Sequence, residues 1–319
     1  MQMKTFKQAF NTVFHDEALF DFLCHGDLSS ELTTFQVGKA QRDVIKVSDK
    51  LKSLLRFIDK VVLSHLDINQ SVVHSYIKNK SVVTAAEQHV NSQCFLVTDI
   101  QKFFSNITED HVEEILRSNI KNIPISDFEN YIPRLLKLTC INGCLPVGYV
   151  TSPKLSNAAL RKFDSVLEEH CKEHKLIYTR YSDDLIISGN EHETLKDVSL
   201  EIQKFLTENC HSELRINQKK TRIYKLGQSF TILGLVITQY GTLALGKKYK
   251  NHLELCLHYY LNDQQLFEQY LEQHFGGKIR SLFGMFHYAK SIDPKYIEKL
   301  QRKYGAFAIA SLLENKWNG

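Results

Sequence analysis

Apolar residues recur along this chain with two periods, and the change from one to the other marks out its elements. In "SDKLKSLLRFIDKVVLSHL" the residues Leu51, Leu54, Leu55, Ile58, Val61 and Val62 share one helical face, and Ser48 ahead of them supplies an N-cap hydroxyl. "CFLVTDI" is a short apolar run that predicts a strand ending on a carboxylate, Asp99. "TSPKLSNAALRKFDSVLEEHC" predicts one helix, capped by Ser152 with Pro153 at its first position and a stripe of Leu155, Ala159, Phe163, Val166 and Leu167. Ile177, Tyr178 and Tyr181, then Leu185, Ile186 and Ile187, predict two buried strands with a tight turn between them. Residues 1–35 read as short helices, "FQVGKAQRDVIKV" as a basic strand pair, 191–210 as a helix and "FTILGLVIT" as a strand. From about residue 247 the period is helical to the end. The pattern is an α+β domain over residues 1–239 followed by a helical one over 240–319.

Composition changes this picture little, but the placement of charge changes it more. At 319 residues, 43% hydrophobic and 24% charged, the chain can bury a sizeable core in two domains. It has no apolar run of about 18 residues and no signal-peptide pattern at "MQMKTFKQAF", so a cytoplasmic protein with no membrane partner is expected. The seven cysteines are scattered, and only Cys140 and Cys144 lie close, without zinc-site partners; all are expected to be reduced. Residues 240–319 hold 11 Lys/Arg and 7 Asp/Glu, which is the whole net charge of +4, while the first 239 hold 29 of each sign. An excess confined to one helical module fits an anionic partner, although a solvated basic face has the same composition.

The chemistry lies at "YTRYSDDLIISG". Asp183 and Asp184 are adjacent carboxylates between two buried strands, where they repel each other and resist desolvation. A metal ion is the natural neutraliser. Asp99, 84 residues earlier, ends a strand that can lie beside this hairpin. Three carboxylates on neighbouring strands can hold two divalent ions about 4 Å apart, the arrangement used for in-line nucleotidyl transfer. An all-oxygen donor set suits Mg²⁺. The bland alternative is an acidic surface turn, since a Y-x-D-D string arises by chance in roughly one chain in thirty of this length.

The string has company in order along the chain. "TDIQKFFSNI" (98–107), "GCLPVGYVTSPKLSN" (143–157), "YSDD" (181–184), "INQKKT" (216–221) and "LGL" (233–235) resemble the successive palm motifs of reverse transcriptases, and of bacterial retron reverse transcriptases most closely. "KAQRDVIKVSDKLKSLLRFI" and "VHSYIKNKSVVTAAEQHV" resemble the fingers of that group, and "KKYKNHLELCLHYY", "IRSLFGMFHYAKSIDP" and "YIEKLQRKYG" its thumb. The resemblance spans roughly residues 37–305 and implies a right-hand polymerase: fingers and palm over 1–239, with the palm core at about 92–108 and 150–239, and a helical, RNA-binding thumb over 240–319.

Carried over motif by motif, the resemblance implies that Asp99, Asp183 and Asp184 are catalytic metal ligands for two Mg²⁺ ions, with the Ile100 carbonyl as a further ligand. Lys220 becomes a general acid for pyrophosphate, a task that a lysine performs if its pKa is lowered. Phe104 becomes the steric gate against a ribose 2′-OH; read from the residues alone it packs in the core, as adjacent Phe103 is expected to do. Lys39, Arg42, Lys102, Phe103, Phe104, Val147 and Gly148 form the implied nucleotide site. Lys247, Lys248, Lys250, Lys278, Arg280, Arg302 and Lys303, with Lys299, are the implied phosphate contacts of the thumb. Gly276, Gly277 and Gly284 allow either close approach to a duplex or a helix start and a tight helix crossing.

The sequence departs from the group in three places. Val147 stands where L-P-Q-G has glutamine; "AAEQH" keeps only His89 of N-A-x-x-H; and "ILG" at 232–234 replaces V-T-G. The last two segments are linked in the group to recognition of its own RNA, so a divergent RNA is expected. The implied function is copying part of a cognate structured non-coding RNA, with dNTPs, into a branched RNA–DNA product. Priming is from a guanosine 2′-hydroxyl, in a defence system with an effector protein. Alternatives are an RNA-binding scaffold that represses an effector, and a related reverse transcriptase outside the retron group.

Overall fold

The computed structural model describes residues 3–37, 42–210, 213–228 and 230–314. The chain opens with the helices Phe6–Asn11 and Glu17–His25, then an antiparallel hairpin of β1 (Leu32–Val37) and β2 (Arg42–Val47) in register from Leu32↔Val47 to Val37↔Arg42. The helix Asp49–Val61 begins as its sequence predicts, with Ser48 Oγ accepting from the Leu51 N–H at 3.1 Å. Leu51, Leu54, Leu55, Phe57 and Ile58 are all buried on its inner face. The edges of Phe6 and Phe10 rest against Phe57, which ties the first helix to this core.

Three further strands form the main sheet: β3 (Cys94–Asp99), β4 (Ile177–Tyr181) and β5 (Asp184–Gly189). With β6 (Arg222–Lys225) at the edge the order is β4-β5-β3-β6. β5 runs antiparallel to both neighbours, with Cys94↔Gly189 to Asp99↔Asp184 on one side and Ile177↔Ser188 to Tyr181↔Asp184 on the other. The helices Arg161–Glu173 and His192–Asn209 pack on the sheet and on each other, burying Phe163, Leu167, Leu195, Val198 and Ile202.

One expectation fails here. "TSPKLSNAALRKF" is not a single helix capped by Ser152: it forms Ser152–Ala159 and Arg161–Glu173, broken at Leu160, with Thr151 in the cap position. Ser152 cannot cap because its hydroxyl is buried and donates to the Pro146 carbonyl at 2.7 Å.

The chain divides into two compact units, Met1–Ser81 with Cys94–Ile223, and Val82–Gln93 with Tyr224–Gly319. The change to helical periodicity near residue 240 lies inside the second unit. Val82–Gln93 joins that unit because the helix Val82–Glu87 packs on β7 (Leu235–Ile237) and the Leu226 N–H donates to the Gln93 carbonyl at 2.8 Å. β7 pairs with β8 (Leu243–Leu245). β7 is shorter than "FTILGLVIT" suggests because Leu233 (φ 52°) and Gly234 (φ 84°) turn the chain, so that Ile232 and Leu235 bond to each other. The helices Lys247–Asn262, Gln264–Phe275, Ile279–Ile292, Pro294–Tyr304 and Ala306–Leu313 complete the unit. All seven cysteines are free thiols. No helix among the described residues is long and apolar enough to cross a membrane.

Candidate catalytic site

The register of the main sheet brings the three acidic residues together. Asp99, the last residue of β3, lies directly across from Asp184, the first of β5, a like-charged pair that a sheet does not tolerate without compensation. Asp183 precedes it in the turn, and its carbonyl accepts from the Ile100 N–H at 3.0 Å, which fastens the turn to the strand carrying Asp99. The turn residue Ser182 is in the left-handed region, at φ 58°.

The segment 215–221 is laced along the end of β3. The Asn217 N–H donates to the Asp99 carbonyl and the Gln101 N–H to the Arg215 carbonyl, both at 2.8 Å, and the Thr98 and Thr221 hydroxyls meet at 2.7 Å. This lacing delivers Lys220, whose ammonium donates to Asp99 Oδ2.

Electrostatics follow from this crowding. Burial, then the neighbouring Asp183 and then Asp99, push the Asp184 carboxyl up to about 6, against the opposing pull of Lys220. Lys220 is raised, chiefly by its hydrogen bond to Asp99, which is opposite to the shift that a general acid needs. Asp99 is only 7% exposed, and its Oδ1 is buried with no hydrogen-bond partner. An orphaned carboxylate oxygen beside a second carboxyl with a raised pKa is a donor set that fits an all-oxygen divalent cation such as Mg²⁺. Among the described residues, one His/Cys/Asp/Glu group has its ligand atoms all within 4.8 Å of one another: His170, Glu173 and His174, at the far end of the helix Arg161–Glu173. Asp99, Asp183 and Asp184 are not gathered that tightly.

Around the acidic trio, Phe103 is buried and Phe104 half-buried, with ring centroids 5.3 Å apart, and Lys102 is exposed at φ 45°. Ile100 is buried. Val147 is exposed and its carbonyl accepts from the Ile45 N–H at 3.5 Å. Gly148 follows at φ 99°, where a Cβ would come within 3.3 Å of the Ile45 carbonyl and of Val44 Cγ1. The palm-motif loop thus packs on β2. Lys39 and the Arg42 side chain lie outside the described residues.

The basic residues of the second unit fall into two groups. Lys247, Lys248, Lys278 and Arg280 are exposed, and among the described residues none of them is in an ion pair. Lys250 is instead bound to Asp293 at 2.8 Å and lies over the Tyr296 ring, Lys303 is bound to Glu254 at 2.6 Å, and Arg302 approaches Glu298 at 3.9 Å. Gly276 caps the helix Gln264–Phe275 in the left-handed conformation, and Gly284 faces open space.

One feature of the site has no motif in the sequence. Behind the acidic turn lie Arg180, Asp164, Asn157 and Ser75, all buried. The available signal was an arginine inside a run of strand-forming residues.

The sequence profile of the reverse transcriptase (RNA-dependent DNA polymerase) family matches residues 38–237. The chain is 26% identical to the retron Ec83 reverse transcriptase of Escherichia coli, over 92% of this chain and 93% of that protein. It is 28% identical to the retron Ec86 reverse transcriptase of the same organism, over 84% and 79%. A solved telomerase from Candida albicans, in complex with a fragment of telomeric RNA, aligns at 12% identity with a TM-score of 0.43; the alignment covers 84% of this chain and about half (51%) of that one.

Proposed function

This chain belongs to the reverse transcriptase (RNA-dependent DNA polymerase) family, and from that premise we propose a retron-type enzyme that copies part of a structured RNA into DNA, with Asp99, Asp183 and Asp184 holding two Mg²⁺ ions. Its fold is the α+β right-hand polymerase fold of that family, whose members use divalent metal ions. The observation that carries the reading is the direct opposition of Asp99 and Asp184 across β3 and β5, with an Asp99 oxygen left unpartnered. When bound, the ions supply Lewis-acid stabilisation of the attacking hydroxyl and of the leaving pyrophosphate.

The chain's own residues do the rest. Lys220 holds Asp99 in place in the absence of nucleotide and, released from it, faces the triphosphate. Phe104 stands over the sugar and excludes a 2′-hydroxyl, while buried Phe103 anchors it. Lys102, Val147 and Gly148, with Lys39 and Arg42, border the nucleotide. The first unit carries most of the fingers and palm, and the second carries the thumb together with residues 82–93 and 224–239 of the fingers and palm; Lys247, Lys248, Lys278 and Arg280 are the thumb cations best placed to meet phosphates. By likeness to the retron enzymes the product is a branched RNA–DNA primed from a guanosine 2′-hydroxyl, and the complex acts with an effector protein in defence.

Primer extension tests the core of this reading. Asp183→Asn is expected to abolish Mg²⁺-dependent extension of a DNA primer on an RNA template while RNA binding persists. Normal extension by that variant would remove the two-metal assignment.

A further inference from the structure

The acidic turn is held from behind by a buried polar frame that the reaction scheme does not use. Arg180 is fully buried, and its guanidinium donates from Nε and Nη2 to Asp164 at 2.8 and 2.6 Å, and from Nη1 to Asn157 Oδ1 at 3.1 Å and the Ser182 carbonyl at 3.0 Å. From the other side the Ser182 N–H donates to Ser75 Oγ at 2.8 Å. The same frame ties its parts together: Asn157 Nδ2 donates to the Ser75 carbonyl at 3.0 Å, and the Tyr178 hydroxyl donates to Asp164 Oδ1 at 2.8 Å.

We infer that Arg180 and Ser75 are positioning residues that grip the Ser182 peptide at its carbonyl and its amide, and so set where Asp183 and Asp184 point. The role rests on the polymerase reading given above. Three features support it. Ser182 is a non-glycine residue at φ 58°, a conformation that persists only when its surroundings fix it. A core ion pair needs Arg180 and Asp164 alone, whereas here a third guanidinium N–H is spent on the turn. Finally, one cation makes four hydrogen bonds, to both Asp164 oxygens, Asn157 and Ser182, which the five-donor fork of arginine allows and the three-donor ammonium of lysine does not. The buried charge is already balanced by Asp164, so its effect on the acidic trio is geometric more than electrostatic.

The test uses the full chain, with Ser75→Ala, Arg180→Lys and a control, Leu167→Ala, which loosens the neighbouring helix without touching the frame. Metal binding is measured with Mn²⁺ alone by electron paramagnetic resonance, counting only the binding that Asp183→Asn removes. Unfolding temperature and primer-extension kinetics are measured alongside. Loss of partners that orient metal ligands typically costs 10–100-fold. Ser75→Ala and Arg180→Lys are therefore expected to weaken Mn²⁺ binding and lower kcat by about that factor, with KM for dNTP little changed. Leu167→Ala is expected to lower only the unfolding temperature.

Wild-type Mn²⁺ affinity in both frame variants would overturn the inference, even if both unfold earlier. If Arg180→Lys does not fold, Ser75→Ala decides alone. A wild-type chain that binds Mn²⁺ but extends no primer would count against the polymerase reading. The Mn²⁺ shift in the variants would still uphold the grip on the turn.

Discussion

Asp184 bears most of the site's electrostatic cost, and that makes it a place where stability and activity oppose each other. Its carboxyl titrates at about 6 in the folded chain against an ordinary 3.8. Well above pH 6 both folded and unfolded forms are ionised, and the folded form carries the full penalty of burial and of Asp183 and Asp99. As pH falls from 6 toward 4 the folded chain takes up the proton first, and the penalty is relieved. Asp184→Asn should therefore stabilise the metal-free protein at pH 7.5 by about 2 kcal/mol, allowing for partial exposure, while abolishing extension. Thermal unfolding in EDTA at several pH values checks this; an advantage that does not shrink between pH 6 and 4 would mean that the repulsion is not what titrates. At Phe104 the expected outcome of substitution to alanine is ready incorporation of rNTPs in a single-nucleotide extension assay. Unchanged discrimination would assign Phe104 to the core with Phe103. The three aspartates were legible in the sequence because carboxylates interrupt apolar strands there. The frame behind them was not, because Asp164, Asn157 and Ser75 lie in ordinary helix and loop sequence and acquire meaning only through a contact with a distant arginine.

Several elements stand where their apolar pattern predicts them, whereas a cap or a turn follows from contacts that the pattern does not contain. Asp49–Val61, β3, β4 and β5 appear where the apolar pattern puts them. Ser152 looked like a cap, yet its hydroxyl reaches back to Pro146, and the helix breaks at Leu160. β7 is cut short by a turn at Leu233 that no glycine or proline rule marks at that residue. Gly284 is another instance: two roles fitted the sequence, a duplex contact or a tight helix crossing. In the helix Ile279–Ile292 nothing among the described residues of its unit lies within 4 Å of where its Cβ would be, so no described helix of that unit crosses closely there. Gly284→Ala should raise stability by about 0.5–1 kcal/mol, the usual helical cost of glycine. If RNA binding falls as stability rises, Gly284 serves the duplex after all, and chemical denaturation with a parallel RNA titration separates the two.

Charge is the property that only the full chain reveals, since the entire excess of +4 lies in residues 240–319 while the preceding 239 balance. The sequence treats Lys247, Lys248 and Lys250 as one cluster, but the structure divides it. Lys247 and Lys248 are exposed at the start of Lys247–Asn262, where the helix dipole already favours an anion. Lys250 is committed to Asp293 and the Tyr296 ring. If the second unit binds RNA through its free cations, binding should weaken steeply with salt through counterion release. Lys247→Gln with Lys248→Gln should reduce the slope of log K against log salt by about 0.7–0.9 for each phosphate that is no longer neutralised. Since phosphate contacts carry no sequence information, two structured RNAs of unrelated sequence should bind more weakly to the same degree. Lys250→Gln should behave differently: it leaves Asp293, whose side chain is 13% exposed, without its cation, so the unfolding temperature falls while the slope stays. An unchanged slope in the Lys247/Lys248 double variant would make these residues a solvated face, and the RNA site would then have to be sought in the first unit. A slope that falls as much for Lys250 as for the pair would mean that RNA displaces Asp293, and the ion pair would then be a feature of the free protein alone.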